Sequence, residues 1–193
     1  MEMTKEMIEE YGEANMKVLE EYRSQFLPNG VNTKLPETPK DIPVGTVLTQ
    51  YWLSSMTYYM VTRTTKKGVE FIEMLDRQIG FDNDGGGTGT RYCLPDFVRT
   101  MDNQNKYQHF VERTGFDIFN TKEFSREKID RLSKEDKKIY FDIMLSRECS
   151  KKIFKLVKPT KDGGFYIPGV HTGTGCGSMK LWDGTPCREY YRD

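Results

Sequence analysis

The chain has 193 residues, 36% hydrophobic and 12% aromatic, which supports one folded core and excludes global disorder. Lys plus Arg and Asp plus Glu both total 29. The zero net charge therefore lacks the basic excess of a dedicated nucleic-acid binder and the acidic excess of a nucleic-acid mimic.

Residues 4–26 predict a helix, with Thr4 as its cap and Met7, Ile8, Tyr11, Val18, Leu19, Tyr22 and Phe26 on one side. Glutamates take the other side, and the first 21 residues hold seven Glu against two Lys. Such a helix packs on the body of the fold, or pairs two copies of the chain as a homodimer. Residues 28–44 carry Pro28, Pro36, Pro39 and Pro43, a spacing that forbids helix and predicts an extended linker.

From Gly45 the composition turns β-rich, with strands expected near 46–53, 57–64 and 68–75. Lys66, Lys67 and Gly68 form the turn of a hairpin. Alternation predicts one buried and one exposed face, with Tyr59, Val61 and Arg63 on one side and Tyr58, Met60, Thr62 and Thr64 on the other. FDNDGGGTGT, residues 81–90, reads as a glycine-rich loop. Helices follow at 95–112 and from Ser133, where SKED supplies a capping box and Ile139, Tyr140, Ile143 and Met144 an apolar stripe. Strands return near 152–158, 164–168, 178–182 and 188–191. The expected architecture is α+β. It is a small twisted antiparallel sheet or SH3-like barrel over 45–193, interrupted by a helical insertion at about 95–150, with the amphipathic helix of residues 1–27 and the 28–44 linker in front.

No residue set stands out as catalytic. DNDGGGTGTRY lacks the Gly-Lys-Ser/Thr ending of a P-loop, and GVHTGTGCGSMKLW reads as a hairpin loop. His171 and Cys176 raise a Cys–His hydrolase as a minor alternative, with His109 the only other histidine. A zinc site from Cys93, His171, Cys176 and Cys187 lacks the paired C-x₂-C knuckles such sites use. Asp82, Asp84, Asp162 and Asp183 sit beside glycines and fit turn chemistry. No metal and no cofactor is expected. The acidic N-terminus has no apolar leader core, no run approaches a membrane span, and four scattered cysteines suit a reduced cytoplasm.

The aromatic–basic stretch TQYWLSSMTYYMVTRTTKKGVEFIEM carries the functional expectation. Trp52, Tyr59, Val61, Phe71 and Met74 are assigned to the interior. From Tyr51, Tyr58, Met60, Arg63, Lys66 and Lys67 an outer contact face is expected, because Tyr, Met and Arg are enriched at interfaces. Alanine at Tyr58, Arg63 or Lys67 should then weaken binding and spare stability.

Trp52, Met56-Thr57-Tyr58-Tyr59-x-Val61, Arg63-x-Thr65-Lys66-Lys67-x-Val69 and Glu73 resemble a motif of small phage, plasmid and gut-metagenome proteins, mostly without assigned activity. Leu181-Trp182-Asp183-Gly184-x-Pro186 with Tyr190 and Tyr191 is similar to their closing segment. The chain departs from the pattern at Leu53-Ser54, in a shorter loop before Tyr58, and in the helical segment. The resemblance implies a mobile-element origin and a binding protein of the anti-CRISPR kind. Its expected partner is a bacterial defence effector, Cas9 with or without its guide RNA the first candidate. A nucleic-acid-binding accessory domain is the alternative.

Overall fold

The computed structural model describes residues 17, 20, 21, 24, 39–52, 55–85, 88–120, 126–161, 165–170 and 177–192. Three strands in sequence build the centre: β1 (Val47–Trp52), β2 (Ser55–Thr64) and β3 (Gly68–Glu73). Their bounds follow the predicted strands closely. The β2–β3 turn forms where Lys66, Lys67 and Gly68 place it, closed by the Thr65 N–H donating to the Gly68 carbonyl at 2.9 Å.

The chain then makes a second hairpin, β4 (Asp76–Gly85) and β5 (Thr88–Pro95). Most of the segment expected to be a loop at 81–90 is therefore strand. Asp, Asn and Gly favour turns, but here they lie in ladder register opposite β5, whose Thr, Tyr and Cys are good strand formers. Two irregularities, at Gln78/Gly80 and Asn83/Gly85, absorb the mismatch.

Helices occupy the middle of the chain: α1 (Phe97–Thr114), α2 (Arg126–Arg131) and α3 (Lys134–Ser146). Asp96 caps α1 by accepting from the Arg99 N–H, and Ser133 caps α3 by accepting from the Asp136 N–H. Short strands close the fold: β6 (Ile153–Leu156), β7 (Lys158–Pro159), β8 (Phe165–Tyr166), β9 (Lys180–Leu181) and β10 (Cys187–Arg192).

The strands form an antiparallel five-stranded sheet, β6-β3-β2-β1-β9, a three-stranded sheet, β10-β5-β4, and the pair β7-β8. The α+β expectation holds in its sheet form. The strands do not close into a barrel, because β6 and β9 end the larger sheet as separate edges. Of the predicted 4–26 helix, Lys17, Glu20, Glu21 and Ser24 are helical and exposed, and the rest lies outside the described residues. Pro39–Asp41, at the end of the predicted linker, is a 3₁₀ turn that drives Ile42 into the core.

The central sheet is covered on both faces. Val47, Tyr58, Met60, Ile72 and Met74 pack with Leu94, Phe97, Trp182 and Cys187. On the opposite face Leu48, Tyr59, Val61, Val69 and Phe71 pack with Ile42, Ile167 and Met179. A third cluster, Phe110, Phe116, Ile118, Tyr140, Ile143 and Cys149, holds α1 to α3. Two-sided burial makes a central strand read as a continuous apolar run, and Tyr58-Tyr59-Met60-Val61 is that run.

Candidate functional surface

Two members of the expected contact face are corrected by this arrangement. Tyr58 is 1% exposed and Met60 is 8% exposed, so neither stands on an open outer face. The smaller sheet and the start of α1 cover the side that alternation had left to solvent. Tyr58 is instead a bridge between sheets: its hydroxyl donates to the Cys93 carbonyl at 2.7 Å and accepts from the Cys187 N–H at 3.2 Å. Burial raises its pKa well above the ordinary tyrosine value, so it stays a neutral donor. Tyr59, Val61, Phe71 and Met74 are interior as expected, whereas Trp52 is 41% exposed at the β1–β2 end, beside exposed Tyr51.

Arg63 also changes sides. A bulge between Val61 and Arg63 inserts Thr62, and Arg63 then stands opposite Glu70, not beside Val61 in the core face. Its guanidinium contacts the Glu70 carboxylate at 3.3 Å and lies 6.0 Å from the centroid of the Phe154 ring. Arg63, Glu70 and Phe154 thus form one row across β2, β3 and β6.

That row belongs to a basic, partly apolar corner. Lys66 and Lys67 are exposed at the β2–β3 turn, and Lys151, Lys152 and Lys158 are exposed around β6. Phe154 and Leu156, at 42% and 60% exposure, supply the apolar part. The corner depends on Gly68, because a Cβ there would meet the Lys155 carbonyl at 2.2 Å and the Phe154 ring at 2.9 Å. A shallow groove of about 520 Å³ lies beside this corner, between α1 and the sheet. Met60, Ile72, Met101 and Val44 give it an apolar floor, and Gln104, Asn105, Gln108 and Lys152 a polar rim. Such a lining offers an apolar surface bordered by amide hydrogen-bonding groups.

The expected nucleophile pair, His171 and Cys176, lies outside the described residues. The other cysteines are poor nucleophiles. Burial pushes the Cys149 thiol up to about 11 and the Cys187 thiol up to about 12. Burial, reinforced by a hydrogen bond to Asp76 and by its charge, pushes the Cys93 thiol higher still. His109 shares a groove with Cys149, but the Cys149 thiol donates to the Asn103 carbonyl at 3.2 Å and His109 faces Glu112.

Cys93 and Cys187 of the rejected zinc set stand directly opposite on β5 and β10. Among the described residues Asp76, Cys93 and Glu189 bring three donor atoms within 4.8 Å of one another. The Arg91 guanidinium pairs with both carboxylates and offsets one of their two charges. No described helix is long and apolar enough to cross a membrane.

The sequence missed Phe154 and Leu156. The signal was present in KKIFKLVK, where Lys152, Lys155 and Lys158 interrupt the apolar pairs Ile153-Phe154 and Leu156-Val157 on a short strand. Comparison with protein-family models, with curated proteins and with solved structures finds no match to this chain.

Proposed function

We propose that the chain is a non-catalytic binding protein of a phage or mobile element, acting in the bacterial cytoplasm by covering a functional surface of a defence nuclease. Cas9, free or loaded with guide RNA, is the first candidate, a choice that rests on the sequence resemblance. The contact surface is the corner formed by Arg63, Lys66, Lys67, Phe154 and Leu156, with the adjoining α1 groove.

The observation that carries this reading is the convergence of three residues picked from the sequence with two exposed apolar side chains on one sheet edge. A structural role alone gives no reason to leave Phe154 and Leu156 in water among lysines. Interfaces of this kind combine an apolar centre with a charged rim. Mixing the purified chain with Cas9, with and without guide RNA, and following gel filtration at physiological salt tests it. Co-elution supports the reading; separate elution contradicts Cas9 as the target.

The nucleic-acid reading has one observation in its favour, the five lysines between residues 151 and 161. It predicts binding to single strands with a steep salt dependence, since phosphate contacts release counterions.

A further inference from the structure

The backbone of β6 defines what this corner can hold. The Val157 N–H donates to the Lys67 carbonyl at 2.9 Å, while the Gly68 carbonyl and N–H are both engaged on the side of Thr65. In an antiparallel ladder alternate residues bond to the same neighbour. Ile153, Lys155 and Val157 therefore direct their backbone groups inward to β3, and Phe154 and Leu156 direct theirs outward. β6 ends the sheet order, so among the described residues no strand receives these outward groups.

The side chains add a second pattern. Ile153 and Val157 lean on the core face, and Lys155 shares their side by the period of the strand. Phe154 and Leu156 stand on the opposite face beside Arg63. A strand laid along β6 would meet an apolar strip on one of its faces and Lys155 on the other, with exposed Lys152 and Lys158 at the two ends of β6.

We propose that β6 binds an extended acidic segment of the partner protein by strand addition, in which apolar residues alternate with Asp or Glu. The partner's apolar side chains cover Phe154 and Leu156, and its carboxylates meet the lysines. Main-chain hydrogen bonds to Phe154 and Leu156 provide the register. Charge complementarity selects this occupant over a second copy of the chain, whose own β6 would bring lysine against lysine. The same lysines on an edge strand guard against indiscriminate pairing, and an acidic strand is the one kind they do not repel. The inference rests on the contact surface proposed above and specifies how it is used.

The test uses the full chain and a fluorescent peptide of alternating glutamate and valine, with an alternating lysine–valine peptide as control. Binding is read by anisotropy. Saturable binding of the acidic peptide alone is expected, together with slowed amide hydrogen exchange at Phe154 and Leu156. Leu156→Pro removes one outward N–H and leaves the inward bonds in place, so it should weaken the peptide roughly tenfold more than Leu156→Ala. The exchange measurement in the unmodified chain decides the matter if the proline variant melts early.

Absence of peptide binding, or binding without protection of those two amides, overturns strand addition. So does equal affinity of the proline and alanine variants, or displacement of the peptide by single-stranded DNA that itself binds the proline variant normally. None of these results bears on co-elution with Cas9, which judges the surface separately.

Discussion

Replacing Tyr58 by phenylalanine removes one oxygen and almost no volume, which isolates the bridge between the two sheets. The hydroxyl donates to the Cys93 carbonyl and accepts from the Cys187 N–H, at 2.7 and 3.2 Å. Both cysteines are buried, so water cannot replace the lost partner. Leaving a buried donor or acceptor unsatisfied costs about 1–3 kcal/mol each, and two partly relaxed groups together give about 2–4 kcal/mol. The edge-on contact with Trp182, centroids 6.0 Å apart, survives the change. For a domain of this size about 1 kcal/mol lowers Tm by 2–4 °C, so Tyr58→Phe should melt roughly 4–16 °C earlier.

Urea unfolding followed by circular dichroism and by tryptophan fluorescence gives the free-energy change, with the slope expected to stay constant. A loss below about 0.5 kcal/mol would refute the bridge, since surface changes stay within that range. If Tyr58→Phe instead weakened a partner complex at unchanged stability, Tyr58 would belong to the contact face after all.

Gln50 is 1% exposed, bonds the Gly177 carbonyl and the Val170 N–H, and lies 1.7 Å from where a Cβ on Gly169 would stand. Gly169→Ala should therefore cost at least about 2 kcal/mol in urea unfolding, by breaking both bonds. Arg63→Ala should leave Tm within about 2 °C, because an exposed ion pair contributes little, while weakening the partner complex in gel filtration. Folded-state pKa values of about 11 and 12 for Cys149 and Cys187, against 9.0 for the unfolded thiol, favour the neutral form in the native state. Their contribution to stability is complete below pH 9 and declines as pH rises through 9 to 12, which urea midpoints across that range measure. Cys93, Cys149 and Cys187 should likewise resist a thiol reagent at mildly alkaline pH until denaturant is added.

Local chemistry made much of this fold readable. The β2–β3 turn follows from Lys66-Lys67-Gly68, and the start of α3 from the Ser133 cap. Strand positions on either side of the helices follow from β-branched and aromatic runs. What the residues could not reveal was which layer covers which face. Tyr58 and Met60 alternate with Tyr59 and Val61 whether one face is buried or both, and only the long-range packing of Leu94, Phe97 and Cys187 decides.

The bulge at Thr62 is equally silent, since nothing in VTRTT marks an extra residue. It moves Arg63 from the core side to the Phe154 row and so helps create the corner. In β4 the weak strand propensity of FDND gave way to pairing with β5, a tertiary effect outside any local window.

The central claim is that the β6 corner is the contact surface of a binding protein. It is tested most directly by carrying unmodified chain, Lys66→Glu/Lys67→Glu and Phe154→Ala through gel filtration with Cas9 and guide RNA, with Tm recorded for each. The account predicts co-elution of the unmodified chain and loss of the complex in both variants, their Tm shifting by less than about 4 °C, as expected for exposed positions. Co-elution of both variants as complete as that of the unmodified chain would contradict it.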